Sequence, residues 1–360
     1  MNTACFSESY AQARHRFREA ATALNANLHA YVIETACEEK LAVDVAVLGA
    51  EADPAMVVSS GIHGVEGYFG SAVQLALLER LADTGLQQNI RYVLIHAVNP
   101  YGFAQGRRAN EDNVDLNRNF LLNGSRYAGA PGGYANLDPF LNPQSPPSRF
   151  EPFALQALWK IAHGGLQPLK ESVAVGQYEY PRGLFFGGKG PCASTRIVQD
   201  NCDAWLAASQ QIAHIDLHAG LGAFGTPKLL LNEAADSQHY AWYVRAFGAG
   251  NVEPLAQPGG TAYNATGVFG RWMQHHFSAR EYRFVGAEFG TYGVIKVLAA
   301  MRAENRAHYY CARGDAAYAR AKAELQECFC PASAAWRQQV VQAGLQLVDQ
   351  GVSALERHRK

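Results

Sequence analysis

This sequence predicts an α/β fold, a sheet with helices packed on its faces. Three observations predict it. Short apolar runs at 43–48, Ala55–Ser60 and 91–97 have the length and content of buried strands. Between the second and third lies 70–81, where Val73, Leu77, Leu78 and Leu81 recur on one side at helical spacing. Strand, helix, strand in that order brings helices onto the faces of a sheet.

The elements follow along the chain. Segment 10–31 is alanine-rich and amphipathic and reads as an N-terminal helix. The stretch 127–152, rich in Gly, Pro and Asn, reads as a long surface loop or an insertion. Segments 211–218 and 283–289 are strand-like, and two helical patterns close the chain at 316–328 and 334–355. Trp336, Val340, Leu347 and Leu355 share one face of the last helix. That face suits an oligomer contact or the chain's own core, and packing on its own domain is the expectation. No repeat or linker divides the chain, so residues 1–360 are expected to form a single domain.

Composition narrows the function classes. With 31 basic and 32 acidic side chains the net charge is −1, and no basic stripe is visible, so no nucleic-acid partner is expected. The seven cysteines are dispersed and odd in number, unlike a disulfide framework. No run has the apolar length of a signal peptide or a membrane span, so no membrane partner and a cytoplasmic home are expected.

Five clusters carry chemistry. In Ser60-Gly61-Ile62-His63-Gly64-Val65-Glu66-Gly67 a short turn at a strand end can aim an imidazole and a carboxylate at one point. Alone the pair is weak, because His-x-x-Glu arises by chance and a capping pair at a helix start explains it equally. In His214-Ile215-Asp216-Leu217-His218 the alternation of a strand puts His214, Asp216 and His218 on one face. A charged face on an apolar strand is costly to bury unless its groups are paired or used. A hydrogen-bonded structural histidine is an even alternative for His218 taken singly. Taken with His63 and Glu66, it completes two imidazoles and one carboxylate, the donor set of a catalytic zinc with one position open.

The third cluster runs from Asn99-Pro100-Tyr101-Gly102-Phe103 through Arg108-Ala109-Asn110 to Asp115-Leu116-Asn117-Arg118-Asn119-Phe120. It could be solvated surface, but Leu116 and Phe120 suggest that it is pinned to the core. Asn117 and Arg118 then make a fork that suits a carboxylate. The fourth is Tyr263-Asn264-Ala265-Thr266-Gly267. The fifth, Gly286-Ala287-Glu288-Phe289-Gly290, places one carboxylate at the close of an apolar run, where a general base is often held. Cys328 and Cys330 lack a matching pair and read as ordinary helix-end cysteines. Gly187-Gly188-Lys189-Gly190 is no phosphate loop, since Ser or Thr does not follow the lysine.

On these five motifs, in this order over 57–289, the chain resembles the zinc carboxypeptidase superfamily, the carboxypeptidase A-like metallopeptidases, in a bacterial branch. The resemblance implies one α/β catalytic domain around a mixed, mainly eight-stranded sheet, and one zinc ion held by His63, Glu66 and His218. It implies Asp115 as the carboxylate that orients His63, and Arg108 as the group that polarises the scissile carbonyl. Asn117 and Arg118 match the pair that grips a terminal carboxylate, Tyr263 the tyrosine that closes on substrate, and Glu288 the catalytic glutamate. Tyr101 and Asn113 depart from the common pattern, and the spacing from Tyr263 to Glu288 differs slightly. Arg108 is chosen over Arg107 because Asn110 completes the Arg-x-Asn frame.

The activity so implied is cleavage of an amide bond beside a free carboxylate, on a small peptide. The alternative on the same scaffold is an N-acyl-amino-acid deacylase acting on an acylated amino acid. A non-catalytic binding domain would not call for all these groups, and a serine hydrolase would call for a Gly-x-Ser-x-Gly elbow, which does not occur.

Overall fold

The computed structural model describes residues 3–35, 39–49, 53–87, 89–164, 175–255 and 265–358. Its strands are β1 Asn27–Ile33, β2 Leu41–Leu48, β3 Ala55–Ser60, β4 Arg91–His96, β5 Gln211–Phe224, β6 Pro227–Leu230, β7 Val252–Glu253 and β8 Glu281–Gly290. They form one mixed eight-stranded sheet in the order β1-β2-β4-β3-β5-β8-β6-β7. The centre, β4-β3-β5-β8, is parallel throughout, while β1, β2 and β6 enter by antiparallel pairing.

Every residue of β2, β3 and β4 is buried, as expected of strands covered on both faces. Alternation along β3 divides the core in two. Met56 and Val58 face Phe17, Phe69 and Trp336, whereas Val57 faces the side holding Trp205 and Phe269. The helices are α1 Tyr10–Ala23, α2 Gly67–Thr84, α3 Pro100–Ala104, α4 Tyr134–Leu141, α5 Phe153–Gly164 and α6 Ala193–Leu206, followed by α7 Tyr240–Phe247, α8 Phe269–His276, α9 Val294–Tyr310, α10 Ala316–Phe329 and α11 Ala334–His358. Helices α1, α2 and α11 cover the first face, and α6 and α8 cover the second. Trp336, Val340, Leu347 and Leu355 of α11 are all buried within the chain itself, in agreement with the expectation for that face.

Two expectations are corrected. The N-terminal helix does not reach residue 31: it stops at Ala23, Asn25 turns the chain with φ 55°, and Asn27–Ile33 becomes the edge strand β1. Tyr31, Val32 and Ile33 favour strand, and all seven β1 residues pair with β2, so the alanine-rich helix pattern ends before them. The stretch 127–152 is not simply surface, because it contains α4, whose Tyr134 and Leu141 are buried. Arg302 of α9 donates to Phe140 O at 2.7 Å and helps hold it down.

Candidate active site

The C-terminal ends of β3, β5 and β8 converge at one cavity, the usual place for chemistry on a parallel sheet. Gly61, with φ +65°, turns the chain out of β3. Gly64 then presses on the backbone beyond Pro100: a Cβ there would lie 2.1 Å from the Gly102 carbonyl carbon. Gly64 N donates to Arg108 O at 3.1 Å and Val65 N to Arg107 O at 2.7 Å, so the first and third clusters are laced together.

These turns bring His63 and Glu66 to His218 on β5. One donor atom from each lies within 4.8 Å of the others. His63 Nδ1 is 2.9 Å from Glu66 Oε1, and His218 Nδ1 is 3.1 Å from Glu66 Oε2. All three side chains are buried. The remaining ring nitrogens face carboxylates: His63 Nε2 is 3.2 Å from Asp115 Oδ1, and His218 Nε2 is 2.7 Å from Asp216 Oδ2. Asp216 was not among the candidates, although its place two residues before His218 on the shared strand face signals it.

The charges at this point favour a cation. Burial works against ionisation of Glu66, but His63 and His218 outweigh it and hold the carboxyl down to about 2. Burial likewise opposes charge on Asp115, yet Arg108 and His63 keep it well below its ordinary value. His218 is driven well above its ordinary value, because Asp216 and Glu66 outweigh the penalty of burial. Buried carboxylates that draw a proton onto an imidazole would equally draw a divalent ion, and two imidazoles with one carboxylate are a donor set that fits zinc.

Arg108 lies against this cluster. Its Nε donates to Asp115 Oδ2 at 3.0 Å, its Nη2 is 2.6 Å from His63 Nε2, and its Nη1 is 3.5 Å from Glu66 Oε1. Glu288 stands beside His218 on β8 and accepts from Leu221 N at 2.8 Å through Oε1. Shielding from water and the charge of Glu66 raise its pKa above the ordinary glutamate value.

The cavity these groups line has a volume of about 240 Å³, and its other walls are largely apolar, including Phe140, Ile161, Leu230, Phe284 and Leu298. Asn117 and Arg118 line it too. Asn117 Oδ1 accepts from Phe269 N at 2.9 Å at the start of α8, which leaves its amide nitrogen for the cavity. Arg118 is buried and donates from Nη1 to Asn117 O at 2.6 Å. Gly267 of the fourth cluster packs on this segment, where a Cβ would meet Arg118 O at 2.1 Å. Arg271 also lines the cavity, in the first turn of α8, and no sequence motif marked it. Tyr263 and Asn264 lie outside the described residues. A second set, Cys202, Asp203 and His276, has two exposed members, and its His276–Asp203 contact at 2.7 Å accounts for it.

The chain belongs to the family described as "Protein of unknown function (DUF2817)", whose model matches residues 6–343. No curated protein matches the sequence. Among solved structures it is similar to carboxypeptidase A of Helicoverpa armigera, at 11% identity and TM-score 0.48, over 91% of this chain and 74% of that one. Thrombin activatable fibrinolysis inhibitor is similar at 12% identity and TM-score 0.44, over 93% and 74%. An aspartoacylase family protein of Mesorhizobium loti is similar at 16% identity and TM-score 0.39, over 79% and 66%.

Proposed function

We propose that this chain is a zinc-dependent hydrolase that cuts an amide bond next to a free carboxylate, in the manner of a metallocarboxypeptidase acting on small peptides. The observation that carries this reading is the meeting of His63, Glu66 and His218 donor atoms within 4.8 Å, on a cavity shared with Glu288. His63, Glu66 and His218 would hold the ion, with Asp115 and Asp216 on the far nitrogens of the two rings. Bound there, zinc supplies Lewis acidity toward a carbonyl and toward water.

The side chains supply the rest. Glu288 takes a proton from the attacking water on a carboxylate oxygen and returns it to the leaving amine nitrogen. Its pKa is raised, the direction that favours a group which accepts a proton and then releases it. Arg108 offers N–H groups to the developing oxyanion, a contribution of about 3 kcal/mol per donor in comparable sites. The Asn117 amide and Arg118 guanidinium grip the substrate carboxylate and so place the cut beside it.

We assign the chain to one catalytic domain in a reducing cytoplasm. The free state of the described cysteines Cys5, Cys192, Cys202, Cys311, Cys328 and Cys330 supports that compartment. Among the described residues no helix is long and apolar enough to cross a membrane. The decisive assay is a panel of free-acid peptides, the same peptides amidated, and N-acetyl amino acids, run with zinc and after chelation. Zinc-dependent cleavage of free-acid peptides, with the amidated peptides cut only slowly and N-acetyl amino acids left intact, is the expected result. Turnover of acylated amino acids in preference to peptides would make the enzyme a deacylase, and no zinc-dependent turnover of either would end the proposal.

A further inference from the structure

A line of buried polar groups crosses the sheet beneath His218. Tyr282 of β8, His214 and Asp216 of β5, and Ser59 of β3 are each no more than 7% exposed. The Tyr282 hydroxyl is 2.7 Å from His214 Nδ1, and His214 Nε2 is 2.7 Å from Ser59 Oγ. Ser59 Oγ donates to Asp216 Oδ1 at 2.6 Å, and the other oxygen of Asp216 meets His218 Nε2 at 2.7 Å. The register sets this line, because Ser59 lies opposite Asp216.

The direction of each bond follows from counting protons. Ser59 has one hydroxyl proton and gives it to the carboxylate, so its oxygen accepts from His214 Nε2–H. His214 Nδ1 is then the acceptor for the Tyr282 hydroxyl. Three donors in series therefore point at Asp216 Oδ1 and leave Oδ2 to accept from His218 Nε2–H. That last bond fixes the His218 tautomer, with the Nδ1 lone pair turned toward Glu66, where the ion would be held. His214 itself is enclosed by Phe269 and Phe284, with ring centroids at 5.4 and 4.9 Å, so water does not compete for its bonds. Burial pushes it down to about 4, in keeping with a neutral ring that donates at one nitrogen and accepts at the other. A strand face needing only to be filled would carry apolar side chains here, as it does at Ile212 on the same strand.

We propose that Ser59, His214 and Tyr282 are positioning residues which act through Asp216 to orient His218 as a metal ligand. The inference rests on the zinc reading above, and the measurements below separate the two. With the full chain, zinc affinity is measured by competition with a chromophoric chelator, and ligand geometry by the visible absorption of the cobalt(II)-loaded protein. Asp216→Asn should weaken zinc binding about 10- to 100-fold. Ser59→Ala and Tyr282→Phe should each weaken it by a smaller factor, about 3- to 10-fold, and shift the cobalt bands in the same direction as Asp216→Asn. In the Asp216→Asn background, Ser59→Ala should add no further loss, since its effect passes through that carboxylate. Tyr282→Phe removes only a hydroxyl and keeps the test available if a nearer variant does not fold.

Parent zinc affinity and cobalt spectrum in both Ser59→Ala and Tyr282→Phe, with only the melting temperature lowered, would overturn the proposal and leave the zinc reading intact. Full additivity with Asp216→Asn would overturn it as well. A parent chain that binds no zinc would remove both.

Discussion

His218 on β5 and Glu288 on β8 are register partners in the parallel sheet. The proposed metal ligand and the proposed base are thus set side by side by one strand pairing, and a slip of one residue would turn one of them to the opposite face. Glu288→Gln should keep zinc at the parent level while kcat falls about 100- to 10,000-fold. Metal content and turnover measured on one preparation decide it, and unchanged hydrolysis would remove Glu288 from its role.

His63→Ala should lose both zinc and activity, because two of the three donors cannot replace the missing imidazole. In the parent, chelation should abolish turnover and added zinc should restore it. Zinc at about 100 times its Kd should also stabilise the fold by about 2.7 kcal/mol, visible as a higher melting temperature.

Arg118→Ala should act on binding. Losing a charged partner for the substrate carboxylate is worth about 1.5–3 kcal/mol, so kcat/KM on free-acid peptides should fall about 10- to 100-fold, chiefly through KM. The slow rate on amidated peptides should not change. Equal losses on both substrates would contradict a carboxylate grip.

Gly64→Ala tests the turn that presents the proposed ligands His63 and Glu66. Its Cβ would fall 2.1 Å from a backbone carbon of Gly102, and backbone cannot swing aside as a side-chain tip can. The turn between His63 and Glu66 must shift, so zinc affinity should drop sharply. Parent affinity in this variant would show that the 63–66 turn tolerates movement.

Away from the site, Arg302 and Arg306 hold the Glu151 carboxyl down to about 2. An unfolded glutamate titrates near about 4.3, so this stabilisation is complete above that pH and is lost as pH falls through about 2. Glu151→Gln should destabilise the neutral protein by only about 1 kcal/mol, since 23% of the Glu151 side chain stays in water and is screened. Urea midpoints should differ at neutral pH and converge with the parent near about pH 2. A constant difference across that range would count against the ion pairs.

Much of this molecule is local and therefore legible in the chain. The runs 43–48, Ala55–Ser60 and 91–97 supply strands β2, β3 and β4 because a strand covered on both faces needs apolar residues on both, and sequence displays that directly. The residue types of the site are legible for a similar reason, since imidazole, carboxylate and guanidinium declare their chemistry wherever they stand. The turn of 27–33 into an edge strand was hidden, because its pairing partner β2 lies elsewhere in the chain and alanine content speaks only for the local backbone. Asp216 was visible as a residue but not as the partner of a ring nitrogen. The apolar walls of the cavity, drawn from α4, α5 and α9 as well as strands of the sheet such as β6, had no motif at all.

What the amino-acid order determined alone was the class of fold, the kinds of donor groups, and which short turns could present them. Only folding decided that Glu66 and His218, 152 residues apart, meet at 3.1 Å. It also decided that one ring leans on Asp115 and the other on Asp216. The reason is physical: side-chain periodicity is a property of a few neighbouring residues, whereas convergence of distant side chains depends on strand order and register, which are settled by the packing of the whole core.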